Sequence, residues 1–379
     1  MLCFILSWLN KPQLSLPHPG PILNVLILKF WGMGSILLLI PGLKEFKKAH
    51  PDCHITVVTL AQNRELASMI PELDSIETLD FQNGLLVFLS QTALLIKKFR
   101  AKQFDIVFDL EFFTRFSAIF SFLCRGSQRV GFHDRSSFRG NLHHVEIPFN
   151  SYWHGTDTFT YAFLQKKGLK VLPATPWIKV PELDQRTIEH LFLERGWLGT
   201  NRQPIVCINP NAGPLGLERR WPSAHFRQLI SMLLAQTSLR IVIIGSLSDR
   251  SYDEEIVASF MEQSSHRERL FLSAGQLNLA QLAAMISISD LLVSNDSGPL
   301  HLGVAVGIPT ISLFGPETPV LYGPQGAGHL VLYKNLPCSP CINVFNNKTL
   351  FCRVGSNQCL TDISPAEVFE AIRRRFNLP

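Results

Sequence analysis

Short apolar runs of buried-strand length recur along the chain, and most are followed by a turn and a stretch with helical spacing of apolar positions. The first, Asn24-Val-Leu-Ile-Leu-Lys29, leads into a Gly-rich turn, Phe30-Trp-Gly-Met-Gly-Ser35, and an apolar helical stretch from Ile36 to Lys48. Strands are predicted again at 54–59 and 104–110, the latter ending in the acidic tip Asp109 and Glu111. Between about Leu172 and Pro204 the pattern breaks, punctuated by Pro173, Pro176, Pro181 and Pro204, with one polar helix-like piece from Asp184 to Arg195. Alternation resumes with strands at 205–208, 240–244, 291–294 and 310–313 and helices at 223–236, 253–263 and 279–287. Ser364-Pro-Ala-Glu367 reads as a capping box opening a last helix that runs to Arg375.

Strand-then-helix alternation in two blocks predicts two α/β domains with parallel sheets and a cleft between them. The expected boundaries are an irregular extension over 1–21, a first domain over 22–180, a linker over 181–203 and a second domain over 204–379. With 46% hydrophobic residues, 17% charged and 27 Phe, the chain can bury a large core, and disorder is excluded. A net charge of +5 is too weak and dispersed to argue for nucleic acid. The apolar start, Met1 to Asn10, is too short to span a membrane and lacks a basic leader or a cleavage site. Eight Cys in 379 residues is not the density of a disulfide-stapled secreted fold, so a cytoplasmic protein is expected.

Ligands of open α/β sheets bind at the carboxyl ends of strands, which directs attention to the loops there. Val293-Ser-Asn-Asp-Ser-Gly-Pro-Leu-His-Leu302 ends a strand, turns on small polar residues and opens a helix, offering free N–H groups to a phosphate. In it Asp296 can cap backbone donors or meet a ligand hydroxyl, and His301 falls in the helix's first turn; an N-cap and a packed histidine fit the same residues. A second loop, Asn209 to Pro222, places Arg219 and Arg220 beside a Gly-rich turn, where guanidinium forks suit a diphosphate. A third, Gly245 to Arg250, carries Asp249, with Asp253 and Glu254 just beyond; these acids could accept from ribose hydroxyls, but solvated side chains explain each of them better in isolation. There is no P-loop, no H-E-x-x-H and no G-x-S-x-G, and Gly32-x-Gly34 lacks the third Gly of a dinucleotide signature.

Taken together, Asn295-Asp-Ser-Gly-Pro-Leu-His301, Ala305-Val-Gly-Ile-Pro-Thr310 and Leu313-Phe-Gly-Pro-Glu-Thr-Pro319 resemble glycosyltransferase family 9, the lipopolysaccharide heptosyltransferases. The Arg-Arg-Trp-Pro222 loop end and the Gly-Met-Gly34 turn fit the same family, and the resemblance runs from about residue 22 to the end. It implies a GT-B fold and an inverting, metal-independent transfer of heptose from ADP-heptose to the lipopolysaccharide core or a related glycan, with no cofactor. It also implies that Asn211, Arg219, Asp296, Ser297, Gly298, His301 and Thr318 line the donor. The partners implied are the nucleotide-sugar and a glycolipid acceptor, with peripheral contact at the inner face of the inner membrane.

One position departs from the family. Its first loop commonly ends Gly-x-Gly-Asp, with that Asp taken as the base for the acceptor hydroxyl, and here Ser35 stands in its place. General base catalysis is worth ~10²–10⁴-fold, and an unassisted Ser hydroxyl is a poor base. Glu111, just past a strand's carboxyl end, is the candidate substitute; a catalytically impaired nucleotide-sugar-binding protein is the alternative, and a sugar-nucleotide epimerase fits the motifs less well. On the acceptor side, Arg125, Arg129, His133, Arg135, Arg139, His143 and His144 against Asp134 suggest a basic surface for a phosphorylated acceptor, although a solvated loop explains them equally. Near the end, Cys338-x2-Cys341-x10-Cys352-x6-Cys359 has the look of a zinc site, although the second pair is not a CxxC and packed thiols explain it too.

Overall fold

The computed structural model describes residues 2–7, 21–112, 114–133, 138–166, 168–169, 172–213, 216–342, 352 and 354–378. The chain divides into two compact units, Met1–Pro173 and Ala174–Pro379. Residues from the expected linker form a helix, Glu182–Glu194, that packs on Leu279–Ile288 and so belongs to the second unit.

The first unit holds a six-stranded parallel sheet of β1 (Asn24–Leu28), β2 (His54–Leu60), β3 (Ser75–Leu79), β4 (Ile106–Asp109), β5 (Gln128–His133) and β6 (Val145–Pro148), in the order β3-β2-β1-β4-β5-β6. The second holds β7 (Ile205–Asn209), β8 (Arg240–Ile243), β9 (Leu270–Leu272), β10 (Leu291–Asn295), β11 (Thr310–Phe314) and β12 (His329–Tyr333), in the order β12-β11-β10-β7-β8-β9. Counted within its own unit, each sheet has the order third, second, first, fourth, fifth, sixth, which is the doubly wound nucleotide-binding order. Strands β7, β10 and β11 are buried along their whole length, as expected for parallel strands covered on both faces.

Several local features differ from expectation. Residues 2–7, expected to be irregular, form a helix (Leu2–Ser7) that packs against Arg115–Leu123, with Cys3 buried beside Ala118 and Leu142. An apolar run that fails to span a membrane still finds a core to cover; the rest of the expected extension up to residue 20 lies outside the described residues. Residues Leu85–Lys102 form an 18-residue helix, for which no element is predicted, and among the described residues no helix is long and apolar enough to cross a membrane. The closing helix, Pro365–Phe376, is capped by the Ser364 hydroxyl as predicted, but the Glu367 carboxylate turns to Lys334 (2.7 Å) rather than completing the box.

Candidate functional site

In a doubly wound sheet the crevice opens where the strand order reverses, at the carboxyl ends of the first and fourth strands. Each unit has such a point, and the two are built from different chemistry.

In the first unit the reversal lies between β1 and β4. Lys29, directly after β1, is 2% exposed and pairs with Glu111, directly beyond β4 (Nζ to Oε1, 2.9 Å). The same oxygen accepts from the backbone N–H of Phe30 (2.6 Å) and of Trp31 (3.0 Å), while Lys29 also donates to the Trp31 carbonyl (3.0 Å). Glu111 therefore holds the turn after β1 in place through one oxygen, and its Oε2 receives no hydrogen bond from the described residues. Lys29 escapes notice in the sequence, because it closes an apolar strand run and has no motif of its own. Ser35 lies in the first turn of the helix Met33–Ala49, and its hydroxyl reaches the Trp31 (2.7 Å) and Gly32 (2.9 Å) carbonyls. Its hydroxyl hydrogen is thereby engaged with the backbone of that turn.

Beneath Glu111 sits a second layer. Arg139 is fully buried and donates to the carbonyls of Glu111 (2.8 Å), Phe112 (3.0 Å) and Phe132 (2.7 Å) and to the carboxylate of Asp109. Asp109 also accepts from the Glu111 N–H (3.3 Å) and pairs with His143 (3.1 Å). Burial pushes the Asp109 carboxyl up, but Arg139 and His143 outweigh it and hold it below the usual range. These residues correct the expected basic surface. Arg129 (6% exposed), Arg139 and His143 (3%) face the interior, because carbonyls and carboxylates at the sheet's carboxyl edge need donors. His144 is lowered to about 4 by burial and then by Arg129 and His143, so it stays neutral, while Asp134 and Arg135 lie outside the described residues.

In the second unit the reversal lies between β7 and β10, and amides and hydroxyls dominate. Asn209, ending β7, donates to the hydroxyls of Ser294 (3.0 Å) and Ser297 (2.8 Å). Asn295, ending β10, donates to the Pro210 carbonyl (2.8 Å) and accepts from the Trp221 N–H (3.0 Å). Ser297 precedes the helix Gly298–Val306, but its hydroxyl is engaged with Asn209 and Ser294, so that helix N-terminus carries no side-chain cap. Arg219, in the short turn Leu217–Arg219, crosses to Asp296, donating to its carbonyl (3.1 Å) and its Oδ2 (3.3 Å), and also to the Ala212 carbonyl (2.9 Å).

His301 is buried (7% exposed) on the same helix, and Thr318 caps the turn Pro319–Tyr322 through Val320 N–H (3.2 Å). Asn211 is buried and turns its amide to both oxygens of Asp253 (3.1 and 3.0 Å). Burial pushes Asp253 up to about 7 against the restraint of those bonds. Asn211, Arg219, Asp296, Ser297, Gly298 and His301 thus gather around one sheet edge, with Thr318 on the loop after neighbouring β11. Arg220 stands apart, paired with Asp249 (2.9 Å) and lying over the Tyr252 ring (4.4 Å). Sequence reasoning missed the structural amides Asn209 and Asn295, which look like ordinary turn residues.

The sequence profile of glycosyltransferase family 9 (heptosyltransferase) matches residues 92–349. The chain is 25% identical over 302 residues to lipooligosaccharide heptosyltransferase 2 of Haemophilus influenzae, covering 78% of this chain and 84% of that one. Among solved structures it resembles the ADP-heptose LPS heptosyltransferase II of Escherichia coli, with TM-score 0.73, 21% identity and coverage of 94% of this chain and 99% of that one. It also resembles the family 9 glycosyltransferase of Veillonella parvula, with TM-score 0.77, 21% identity and coverage of 95% and 99%. Two doubly wound units of the GT-B class and a profile match over more than half the residues lead to one conclusion: the chain belongs to glycosyltransferase family 9 and is a glycosyltransferase.

Proposed function

We propose that this enzyme transfers heptose from ADP-heptose, with inversion and without a catalytic metal, to the lipopolysaccharide core or a related surface glycan. The observation that carries the donor half is the uncapped start of the helix Gly298–Val306, with Arg219 set beside it through Asp296. Free N–H groups at a helix N-terminus and a guanidinium fork are what a diphosphate needs. Asn211, Ser297, His301 and Thr318 complete the donor site in this reading. The curated relatives named for heptosyl transfer support the sugar.

Glu111 acts as the base: Oε1 is committed to the turn after β1, and Oε2 takes the acceptor proton. Ser35 supports that turn and takes no proton. The helix Leu85–Lys102 fits peripheral contact with an anionic bilayer, since Leu85, Leu86, Leu89 and Leu94 are 69%, 83%, 50% and 66% exposed and Lys97 follows one turn later.

Thermal stabilisation by ADP-heptose, against other ADP-, UDP- and GDP-sugars and with Asp296→Ala as control, tests the donor. A ligand at 100 times its Kd should stabilise by ~2.7 kcal/mol. Selective stabilisation by ADP-heptose that is lost in the variant is expected; preference for another nucleotide-sugar discards the heptose, and no response to any donor overturns the donor site; stabilisation without turnover favours the impaired, binding-only reading motivated by Ser35. Co-sedimentation with anionic liposomes, weakened by Leu86→Asp and by salt, tests the membrane contact.

A further inference from the structure

Trp31 stands half out of water (48% exposed), yet its backbone is gripped by three side chains. Its N–H donates to Glu111 Oε1 (3.0 Å), and its carbonyl accepts from Lys29 Nζ (3.0 Å) and from the Ser35 hydroxyl (2.7 Å). The contacts that fix the Glu111 carboxylate therefore fix the base of the indole as well.

A single exposed apolar side chain needs no explanation, but Trp31 is not single. Its ring stacks on Phe81 (centroids 5.7 Å apart, planes 24° apart), itself 45% exposed, and Phe81 stacks on the buried Phe88 (3.9 Å, 17°). Phe88 meets Phe116 (5.1 Å), which lies against Phe30 (5.5 Å), the residue before Trp31. The rings thus run from solvent into the core and back to the turn where they began. The turn that carries Phe81 is also held: Asp80 accepts from the Gln82 N–H (2.7 Å) and the Asn83 amide (2.6 Å), and its own N–H donates to Gln91 (3.0 Å). Among the described residues the indole of Trp31 meets no other ring, and its N–H has no hydrogen-bond acceptor.

We infer that Trp31 is the platform for a sugar ring of the glycan acceptor, holding it beside Glu111; this rests on the reading of Glu111 as the base and of a surface glycan as the acceptor. A flat apolar face backed by rigid rings, with a free N–H at its edge, suits one face of a pyranose. The ring C–H groups meet the π-cloud while the hydroxyls reach past it to polar partners. The occupant follows from the neighbour. A substrate that gives a proton to Glu111 must rest within a hydrogen bond of it, and an acyl chain has no proton to give. Leu86 and Leu89, exposed on the helix that carries Phe88, offer branched aliphatic surface in place of a plane.

Calorimetric titration with deacylated, water-soluble lipopolysaccharide core oligosaccharide, alone and with ADP present, tests this. Removing the acyl chains takes membrane contact out of the readout. Trp31→Ala should weaken binding of the oligosaccharide about tenfold, and Trp31→Tyr should recover most of that loss. Trp31→Leu, which keeps apolar bulk over Phe81 but no plane, should bind as poorly as Trp31→Ala, so a folding defect in one variant cannot decide the matter. Equal binding by wild type and by both aliphatic variants overturns the platform and leaves the base and acceptor readings standing. Wild-type protein that fails to bind the oligosaccharide overturns the acceptor reading and the platform together. Turnover that survives Glu111→Gln, while Trp31→Ala still loses the oligosaccharide, removes the base and keeps the platform. Undiminished oligosaccharide binding by Trp31→Ala with weaker sedimentation on anionic liposomes assigns the indole to the membrane and overturns the platform.

Discussion

The two sheets share one strand order but spend their reversal points on opposite chemistry. Between β1 and β4 the chain places full charges, Lys29 against Glu111 and Arg139 against Asp109, nearly all removed from water. Between β7 and β10 it places Asn209, Asn295, Ser294 and Ser297, neutral groups held by hydrogen bonds, and sets one ion pair, Arg219 with Asp296, at the rim. A neutral amide lattice is cheap to bury and leaves a helix N-terminus open for a charged ligand to complete. A buried ion pair is costly unless every partner is present, so it suits a place where one carboxylate oxygen must stay fixed. The contrast is between a reversal point lined mainly by neutral amides and hydroxyls and one lined by buried ion pairs.

Glu111→Gln should break the contrast most sharply. Gln can still accept from Phe30 and Trp31 but cannot take a proton, so turnover should fall by ~10²–10⁴-fold and the acid limb of the pH–rate profile should vanish. If turnover survives with its acid limb, Glu111 only positions the turn. Because that change strips Lys29 of its counter-charge, the double variant Lys29→Met, Glu111→Gln separates chemistry from stability; replacing both partners of a buried pair is far less costly than removing one.

Arg139→Met should cost about 3–5 kcal/mol in chemical denaturation, since it strands the buried Asp109 carboxylate. A loss under 1 kcal/mol would mean that the layer under Glu111 is not held by charge. In the second unit Arg219→Ala should leave the fold intact and raise the donor KM by about 10–100-fold, the worth of ~1.5–3 kcal/mol for hydrogen bonds to a charged group. An unchanged KM would remove Arg219 from the donor site.

A pH effect of lower slope belongs to Asp253. Its folded value of about 7 lies above the ordinary carboxyl value near 4, so the native state holds the extra proton between them. Stability should therefore fall as pH rises from about 4 to about 7, by no more than ~1.4 kcal/mol per pH unit, and level off above. Asp253→Asn should flatten that decline in melting curves taken across the range. Ser35→Ala should matter least, within ~0.5 kcal/mol and about twofold in turnover, because its hydroxyl serves only two exposed carbonyls. A large loss there would return Ser35 to the chemistry.

The donor-side loop was legible because its residues are consecutive: Asp296, Ser297 and Gly298 lie where a strand hands over to a helix, and that grammar is local. The first unit's site was legible only in part. Glu111 stood out at a strand tip, but Lys29 reads as the end of an apolar run, and only the pairing of β1 with β4 makes them neighbours. Arg129, Arg139 and His143 misled for the same reason. Charge in a sequence reads as surface, and the Phe132 carbonyl and Asp109 carboxylate that draw Arg139 inward lie 7 and 30 residues away in the chain. Strands β3, β5 and β6 went unread because their polar residues, such as Glu77, Arg129 and Glu146, interrupt the apolar runs.

Arg139 also sets a clock on synthesis. It binds the carbonyl of Glu111 across 28 residues of chain, so the turn after β4 leaves the ribosome before the side chain that fastens it. At ~5–20 residues per second that interval is about 1 to 6 s, during which the carboxyl end of β4 carries a buried-type acid with no cation to meet it. The first unit's nascent chain must therefore stay open at this edge until β5 and the segment beyond it arrive. A ribosome stalled just short of codon 139 should hold a protease-sensitive first unit.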